Sequence, residues 1–475
     1  MTLWRSGFAI FALLVYLAFP TKNYYWDGIS FAQKIETAAS WRDLLHPNHL
    51  IYNLTGWSVY HALAAKFRAL YVLQAMNAVW AAGAAYLLAG ILRLAVPVRA
   101  ALLLSALFAF AGTWWRYATD ADAYIPSVTL LIACAYFLVP EKRPKPFVVA
   151  LLHTAAMLLH QLALLLFPAA LYALWHQYNG GMPPGKRLRG VALYIALSGG
   201  LTLGAYVLAF TAVTGSFAPR PFLLWMTSYA ENATFSFRLA RNLGVSLRSW
   251  AQLFFTGRPS LLHYSDPTTV ILLLLCVAAL IALVVALARG KFRIRIYRQL
   301  WFRFALLWIL SYALFFFFWQ PQNTFYKVFG LPAFILLAAS CWEPGSEPRA
   351  RGAGTAFVAF MALSNLTLAV IPYSRVSSNA VVAFAMSLHG SLNAGSVVFF
   401  RDFNTDNWFA QYFNPQSVWK HAETTADIDM DLREGKSVWL ETTAVEHFSA
   451  AEPAWFQTRT KSGGRRIRFV RLVAP

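Results

Sequence analysis

Long apolar runs alternate with short polar segments from the N-terminus of the chain to Pro372. A helix needs about 20 mostly apolar residues to cross a lipid bilayer. The pattern therefore predicts an all-α polytopic membrane domain over residues 1–372. Its expected transmembrane helices, about 11 in number, lie near 4–20, 70–93, 99–115, 124–140, 147–160, 162–178, 191–212, 268–288, 301–318, 325–341 and 354–372.

Two segments, 21–69 and 213–266, are too polar for spans, and we expect them to hold helices that lie along the outer membrane surface. Basic clusters occur at 141–145, 185–189 and 289–298. Basic loops tend to stay in the cytoplasm, and with this assignment all three clusters lie on one side. The sequence thus predicts a cytoplasmic (inner) membrane protein with a cytoplasmic N-terminus.

The pattern changes after Pro372. Residues 373–475 hold ten of the 20 acidic residues and 11 of the 40 basic residues, so this part is nearly neutral. Short apolar runs predict strands at 396–400, 437–442 and 466–473. Mixed runs predict helices near 404–413 and 425–434. We therefore expect a small extracytoplasmic α/β domain that is soluble.

Charge content narrows the class of protein further. Only 13% of the residues are charged and 59% are hydrophobic, yet the net charge is +20. The basic residues are spread between apolar runs and do not form one continuous face, which argues against a nucleic-acid partner. Arg238, Arg241 and Arg248 share one helical face, where contact with membrane lipid headgroups is expected.

Acidic residues are scarce in the membrane part, which has ten of them beside 29 basic residues. Asp27 lies among aromatic residues in "YYWDGIS", just after the first apolar run, and Asp120 and Asp122 follow the third run in "WWRYATDADAY". A carboxylate costs about 2.5–3.5 kcal/mol at the bilayer centre and much less at the interface. These three residues are therefore candidates for function.

The motifs around these aspartates resemble those of the GT-C membrane glycosyltransferases, and among them the bacterial relatives of the transmembrane protein O-mannosyltransferases. Trp115, Ala118, Asp122 and Tyr124 fit a Trp-x-x-Ala-x-x-x-Glu-x-Tyr motif, with Asp in place of Glu. "LLHPNHLIY" is similar to a His-Pro-Pro-Gly-type motif, but Asn48 replaces the second proline. "LLHQLALLLFP" resembles a histidine-bearing turn of the group. All three motifs lie within the N-terminal range 1–180, which the resemblance covers.

The resemblance implies an inverting glycosyltransferase that takes its sugar from a polyprenyl-phosphate carrier and transfers it to a hydroxyl of a glycan, lipid or protein on the extracytoplasmic face. It also implies that Asp27 is the catalytic base. A carboxylate can remove the acceptor proton while C1 develops oxocarbenium character, and the phosphate leaves already charged. Capping of a helix over 28–36 by Asp27 is the structural alternative.

The other candidate residues are expected to bind substrate. Asp120, Asp122 and Tyr124 would contact sugar or acceptor hydroxyls. The alternative is a solvated interfacial loop in which Asp120 caps a helix. The histidines would contact the donor phosphate or Asp27, and the cations would bind the phosphate. The remaining set is His46, His49, Arg116, His160, Gln161, Arg220, Asn323 and Lys327.

Metal binding and transport are the competing interpretations. Two carboxylates in "DAD" underfill a six-coordinate divalent site, and His46 with His49 would need further ligands to hold zinc. We expect no required cofactor, with a divalent metal as the open alternative. A transporter or flippase for an anionic lipid or lipid-linked sugar would use similar residues, but no paired inverted halves are visible. A catalytically inactive scaffold is the third possibility.

Overall fold

A computed structural model of the 475-residue chain describes residues 3–143, 145–177, 183–228, 235–255, 267–289, 298–342, 348–460, 465–466 and 469–472. The predicted surface segment 213–266 therefore falls partly outside the described residues, at 229–234 and 256–266, and so does most of the basic cluster 289–298. The chain forms two compact units. The first comprises Met1–Thr21 and Phe31–Ser374, and the second comprises Lys22–Ser30 and Arg375–Pro475.

The first unit is helical. Helix α2 runs from the second unit into the first, and the bounds are α1 Leu3–Ala18, α2 Trp26–Thr37, α3 Tyr52–Ala62, α4 Ala69–Ala95, α5 Val98–Ala109, α6 Gly112–Ala118, α7 Tyr124–Leu138, α8 Pro146–Leu159, α9 Phe167–Gln177, α10 Pro184–Thr214, α11 Pro219–Thr227, α12 Leu239–Ala251, α13 Pro267–Arg289, α14 Gln299–Phe318, α15 Leu331–Ser340, α16 Pro348–Asn365 and α17 Ile371–Tyr373. Shorter 3₁₀ segments include Trp41–Leu44, Pro47–His49, Gln161–Leu166 and Phe325–Gly330.

Each predicted span corresponds to helix in the structure, but the number of membrane crossings stays a prediction. Among the described residues, four helices are long and apolar enough to cross a bilayer alone, at Ala69–Ala95, Pro184–Thr214, Gln299–Phe318 and Gly352–Tyr373. A fifth arises if α5 and α6, which meet at 67°, count as one broken span. Helix α3 has only 11 residues, so it is too short to span a bilayer.

Helix α4 lies at the centre of the first unit and packs against α1, α5 and α7. Its buried positions are rich in alanine, including Ala78, Ala81 and Ala85. Small side chains let helix backbones approach closely, which is how helices pack inside membranes. The same helix therefore brings polar side chains such as Asn77 close to its neighbours.

Several helices of the first unit are interrupted, and the interruptions meet. His160 adopts extended backbone (φ −160°, ψ 126°) and separates α8 from the 3₁₀ segment Gln161–Leu166. This segment and Phe325–Gly330 contact each other, and both contact α7. The Tyr312 hydroxyl donates to the Leu162 carbonyl at 2.9 Å and holds the arrangement. The polar residues of the two 3₁₀ segments are therefore carried by parts of the chain that contact each other.

The second unit is a small α/β fold. Its helices are α18 Ala380–Ser387, α19 Thr405–Phe413, α20 Thr425–Arg433, α21 Thr442–Ala451 and α22 Pro453–Thr460. Its strands are β1 Val397–Phe400, β2 Val418–His421, β3 Val438–Glu441, β4 Arg465–Arg466 and β5 Phe469–Arg471, in the order β2-β1-β3-β5-β4. The inner strand β1 pairs parallel with β2 and β3, and β5 is antiparallel to β3 and β4.

Strand β2 was not predicted from the sequence. The predicted strands at 396–400 and 437–442 are present because their apolar residues are buried, as in β1 and β3. In place of one strand at 466–473, the structure has the two short antiparallel strands β4 and β5, and residues 467, 468 and 473 lie outside the described residues. Strand β2 reads "VWKH" and is only half-buried at the sheet edge, so it lacks a long apolar run. Pairing with β1, with Val397 opposite Val418, determines it instead.

Candidate functional site

Two amides of α4 fix the loop that carries Asp120 and Asp122. The Asn77 amide donates to the carbonyl oxygens of Asp120 at 2.7 Å and Asp122 at 2.6 Å. Three residues earlier, the Gln74 amide donates to the carbonyls of Thr21 and Thr119, both at 2.8 Å. The sequence analysis missed both amides, although two polar residues three apart in an apolar run indicate a shared helix face.

Asp120 and Asp122 are both fully buried. One carboxylate oxygen of each accepts the backbone N–H of the next residue, Ala121 at 2.8 Å and Ala123 at 2.7 Å. The alternative of a solvated loop is therefore wrong for these side chains. Asp120 does not cap α7 either, because the N-cap of that helix is Ala123. Burying two carboxylates is costly unless they are used for binding or are well satisfied.

Tyr52 lies beside this pair of aspartates. Burial and, next, the negative charge of Asp122 raise the pKa of the Tyr52 phenol well above its usual range. The phenol therefore stays protonated and available as a hydrogen-bond donor. No motif pointed to Tyr52, since a tyrosine that begins a short helix is ordinary in sequence.

The three predicted histidines come together with Tyr124. Ring centroids lie 5.5 Å apart for His46 and His49, and 4.7 Å apart for His49 and His160. The centroid of the Tyr124 ring lies 5.1 Å from that of His160 and 5.8 Å from that of Phe325. Three histidines predicted from separate motifs therefore lie next to one another, and we call His46, His49 and His160 the histidine cluster.

The histidine cluster is neutral. The Nδ1 atoms of His46 and His160 accept the backbone N–H groups of Asn48 at 3.3 Å and Leu162 at 3.1 Å, so each neutral ring carries its proton on Nε2. Burial, followed by the positive charge of Lys34, lowers the pKa of His46 to about 4. Burial and the neighbouring histidines lower the pKa of His49 well below its usual value.

The Nε2 atom of His160 is buried and has no hydrogen-bond partner among the described residues. A buried donor without a partner costs free energy, so a site of this kind favours a ligand that accepts a hydrogen bond. Gln161, by contrast, is occupied. Its amide donates to the carbonyls of Pro47 at 2.9 Å and Met226 at 3.3 Å, and thus holds the His46 turn against His160.

Lys327 is fully buried beside α12. Its ammonium donates to the Ser249 hydroxyl and to the Pro321 carbonyl, the latter at 2.6 Å, and lies 5.6 Å from the Trp250 ring. Among the described residues, no carboxylate forms an ion pair with it. A buried ammonium whose partners are neutral oxygens retains an attraction for an anion. The Asn323 amide donates a hydrogen bond to the side-chain oxygen of Gln320.

The other predicted cations are Arg116 and Arg220. The Arg116 guanidinium lies 5.8 Å from the Tyr117 ring and 5.7 Å from the Tyr373 ring. Arg220 is exposed in the first turn of α11. Within the described ranges, no hydrogen bond or ion pair joins Arg220 to His46 or His160, so its phosphate contact stays a prediction.

Asp27 belongs to the second unit and is half-buried. Helix α2 begins at Trp26, so Asp27 lies in its first turn and is not the cap of a helix over 28–36. A carboxylate in a first helical turn is favoured by the helix dipole. Its catalytic role stays a prediction.

Nothing among the described residues forms a group of three or more His, Cys, Asp and Glu side chains that could hold a metal ion. The histidine cluster has three imidazoles but does not form such a group. Asp120 and Asp122 alone offer too few ligands for a six-coordinate divalent metal ion.

No protein-family model matches the sequence, and no curated protein matches it either. Solved structures do match. ArnT from Cupriavidus metallidurans bound to undecaprenyl phosphate is 12% identical, with a TM-score of 0.63 and full coverage of both chains. The oligosaccharyltransferase of Archaeoglobus fulgidus, solved with zinc and sulfate, is 11% identical, with a TM-score of 0.50 over 94% of this chain and 69% of that one.

Both proteins are membrane glycosyltransferases of the GT-C superfamily. This chain has the GT-C fold. The resemblance noted in the N-terminal motifs is thereby confirmed at the level of the fold, and it extends over the whole chain. The closer relation to the O-mannosyltransferase group stays a prediction, as do the roles of individual residues in this chain.

Proposed function

We propose that this chain is an inverting glycosyltransferase that takes a sugar from a polyprenyl-phosphate carrier and transfers it to a hydroxyl acceptor. The observation that carries the proposal is the burial of Asp120, Asp122, His49 and His160 in the helical unit of a chain with the GT-C fold. Buried polar groups of this kind, converging from several helices, are typical of a binding site. The undecaprenyl phosphate bound to ArnT supports a polyprenyl donor.

In the proposed reaction, Asp27 removes the proton of the acceptor hydroxyl. The acceptor oxygen then bonds to C1 of the sugar from the face opposite the phosphate, and the C1–O bond to the phosphate breaks. The electron pair leaves with the polyprenyl phosphate, which is already charged and needs no proton. One displacement inverts the configuration at C1.

The proposed binding groups divide by chemistry. Asp120, Asp122 and Tyr124 would hold sugar or acceptor hydroxyls. His46 and His160 would donate Nε2–H bonds to phosphate or sugar oxygens, with His49 beside them. Lys327, with Arg116 and Arg220 as further cations, would compensate the phosphate charge. Gln161 and Asn323 are neutral, and we expect them to orient the neighbouring polar groups by hydrogen bonds.

The proposed location is the inner membrane, with the site and the second unit on the extracytoplasmic face. The basic clusters at 141–145 and 185–189 support this orientation because basic loops remain in the cytoplasm. The acceptor, whether glycan, lipid or protein, would then approach from outside.

Sugar transfer in isolated membranes tests the proposal. Wild type, Asp27→Asn, Asp122→Asn and the control Glu446→Gln, an exposed carboxylate of the second unit, would be compared with labelled undecaprenyl-phosphate sugars. We expect product from the wild type and the control, and transfer near background for Asp27→Asn at equal expression. Consumption of no donor by the wild type would instead favour the transporter, and normal transfer by Asp27→Asn would remove the base.

A further inference from the structure

The segment that carries Asp27 is part of the second unit. Residues Lys22–Ser30 group with Arg375–Pro475, although the chain leaves them for the membrane helices at once. Within this unit the Trp26 ring stacks on the Trp408 ring, with centroids 5.1 Å apart and an interplanar angle of 26°. Tyr24 lies 6.3 Å from Phe413. Two aromatic contacts therefore connect the segment to α19.

Helix α19 is a rigid support for these contacts. The side chain of its N-cap, Asn404, accepts the Asn407 N–H at 3.1 Å. At its other end the Asn414 amide donates to the Ala385 carbonyl at 2.8 Å, which attaches it to α18. Phe409 is buried beneath the helix. The position of Trp408 is therefore determined by the fold of the second unit.

One apolar core cluster of that unit is formed by residues of β1, β3, α20 and α21, together with Ala422 and Leu472. Trp408 and Phe413 are not among its residues. Trp408 is half-buried, and its partner Trp26 is 37% exposed. Half-exposed stacked rings outside the core are poorly explained by stability alone, so another use of the contact is indicated.

Asp27 directly follows Trp26 in the first turn of α2. The Gly28 N–H donates to the Tyr25 carbonyl at 3.1 Å and closes this turn, so the orientation of Trp26 and that of Asp27 are linked through one turn of backbone. A catalytic base must lie within hydrogen-bond reach of the proton that it removes. A displacement of about 1 Å can reduce a rate about 100-fold.

We propose that Trp408 is a positioning residue for Asp27, and that the second unit serves catalysis by holding the first turn of α2 through the Trp26–Trp408 stack. The inference rests on the proposed role of Asp27 as the base. It assigns a function to the C-terminal unit that no motif in that unit suggests.

Hydrogen–deuterium exchange of the purified full-length protein tests whether Trp408 holds the segment. The variants are Trp408→Ala, Trp408→Phe, which keeps an aromatic ring, and the control Trp455→Ala. Trp455 packs against the core of the same unit and lies 4.9 Å from the Arg459 guanidinium. We expect exchange across residues 22–30 to rise about tenfold in Trp408→Ala, with little change in Trp408→Phe or Trp455→Ala. Unchanged exchange in Trp408→Ala would overturn the inference.

Transfer kinetics with undecaprenyl-phosphate sugars test whether the stack acts through Asp27. We expect Trp408→Ala to lower kcat by about 10- to 100-fold with little change in donor KM, and Trp408→Phe to restore most of the rate. In an Asp27→Asn background, Trp408→Ala should cause no further loss, because groups that act as a unit are not additive. A full additional loss in that background would show a general structural effect and overturn the inference.

The outcomes separate this inference from the proposed function. Transfer by the wild type, loss in Asp27→Asn and normal kcat in Trp408→Ala would leave the enzyme standing and remove the positioning role. Normal transfer by Asp27→Asn would overturn both the base and the role of Trp408. A wild type that transfers no sugar would overturn the proposed function, and Trp408 as a positioning residue with it, whatever the exchange shows.

Discussion

Two buried charges, one in each unit, have opposite surroundings. In the second unit the Asp431 side chain is 1% exposed and forms ion pairs with Lys420 and Lys436, both at 2.7 Å. In the first unit the buried Lys327 ammonium bonds to a hydroxyl and a carbonyl, and among the described residues no carboxylate pairs with it. The charge of Asp431 is compensated within the protein, whereas the partners of Lys327 among the described residues are neutral oxygens.

Replacement of Lys327 by methionine tests this difference most strongly. Loss of a preorganised cation at the phosphate should reduce sugar transfer by about 100- to 1,000-fold. The folded protein should lose little stability, because a buried charge without a counter-ion is itself costly. Transfer assays and thermal unfolding of the same preparations measure the two effects. A strongly destabilised protein with near-normal specific activity would make Lys327 a structural residue.

The pH dependence of stability sharpens the comparison. The pKa of His46 is about 4 in the folded protein, against an ordinary value of 6.5. Its contribution to the free energy of unfolding is therefore complete above pH 6.5 and is lost as the pH falls towards 4. The difference corresponds to about 3 kcal/mol. For Asp431, burial raises the pKa but the two lysines lower it by more, so its contribution persists above the ordinary value of 3.8 and is lost as the pH falls through its lower folded value.

Between pH 6.5 and 4 we therefore expect the first unit to weaken while Asp431 still stabilises the second. Protection of each unit from proteolysis or hydrogen exchange, measured across this range, gives the result. His46→Asn, which retains a side-chain acceptor at the N-cap, should reduce the acid response of the first unit, and the part that remains is expected from His49. Equal acid sensitivity of that variant and the wild type would mean that His46 does not carry the effect.

Asp431→Asn should have a smaller effect and a different one. Both lysines are more than one-third exposed and can return to water, so the loss of their partner should destabilise the second unit by about 1–2 kcal/mol. Sugar transfer well below the unfolding temperature should remain normal. A large loss of transfer without loss of stability would assign Asp431 to the site and remove the contrast with Lys327.

Lys436→Met should have the smallest effect. Its side chain is 38% exposed, and Lys420 remains to pair with Asp431. We expect little change in the unfolding temperature and no change in transfer, because an exposed ion pair contributes little to stability. Measured beside Lys327→Met, this variant is the matched control for removing a lysine charge, and equal losses of activity in both would break the comparison.

Asp122 and His160 could be singled out from the sequence because polar residues are scarce beside apolar runs. Both are buried where helices are interrupted, and their roles in binding stay predictions. Asn77 and Ser249 were missed because an amide or hydroxyl in a helix costs little and gives no clear pattern. Their importance lies in partners far along the chain, Asp122 for Asn77 and Lys327 for Ser249, separated by 45 and 78 residues.

By itself, the sequence determined that this protein is helical and apolar as far as Pro372 and that strands follow, because hydrophobic length and period are local properties. Only the tertiary structure decided which residues share a site, and that Lys22–Ser30 belongs to the C-terminal unit. Contacts such as Trp26 with Trp408 depend on how separated helices pack. Such contacts depend on close packing between segments that are distant in sequence, so the pattern of one segment alone does not predict them.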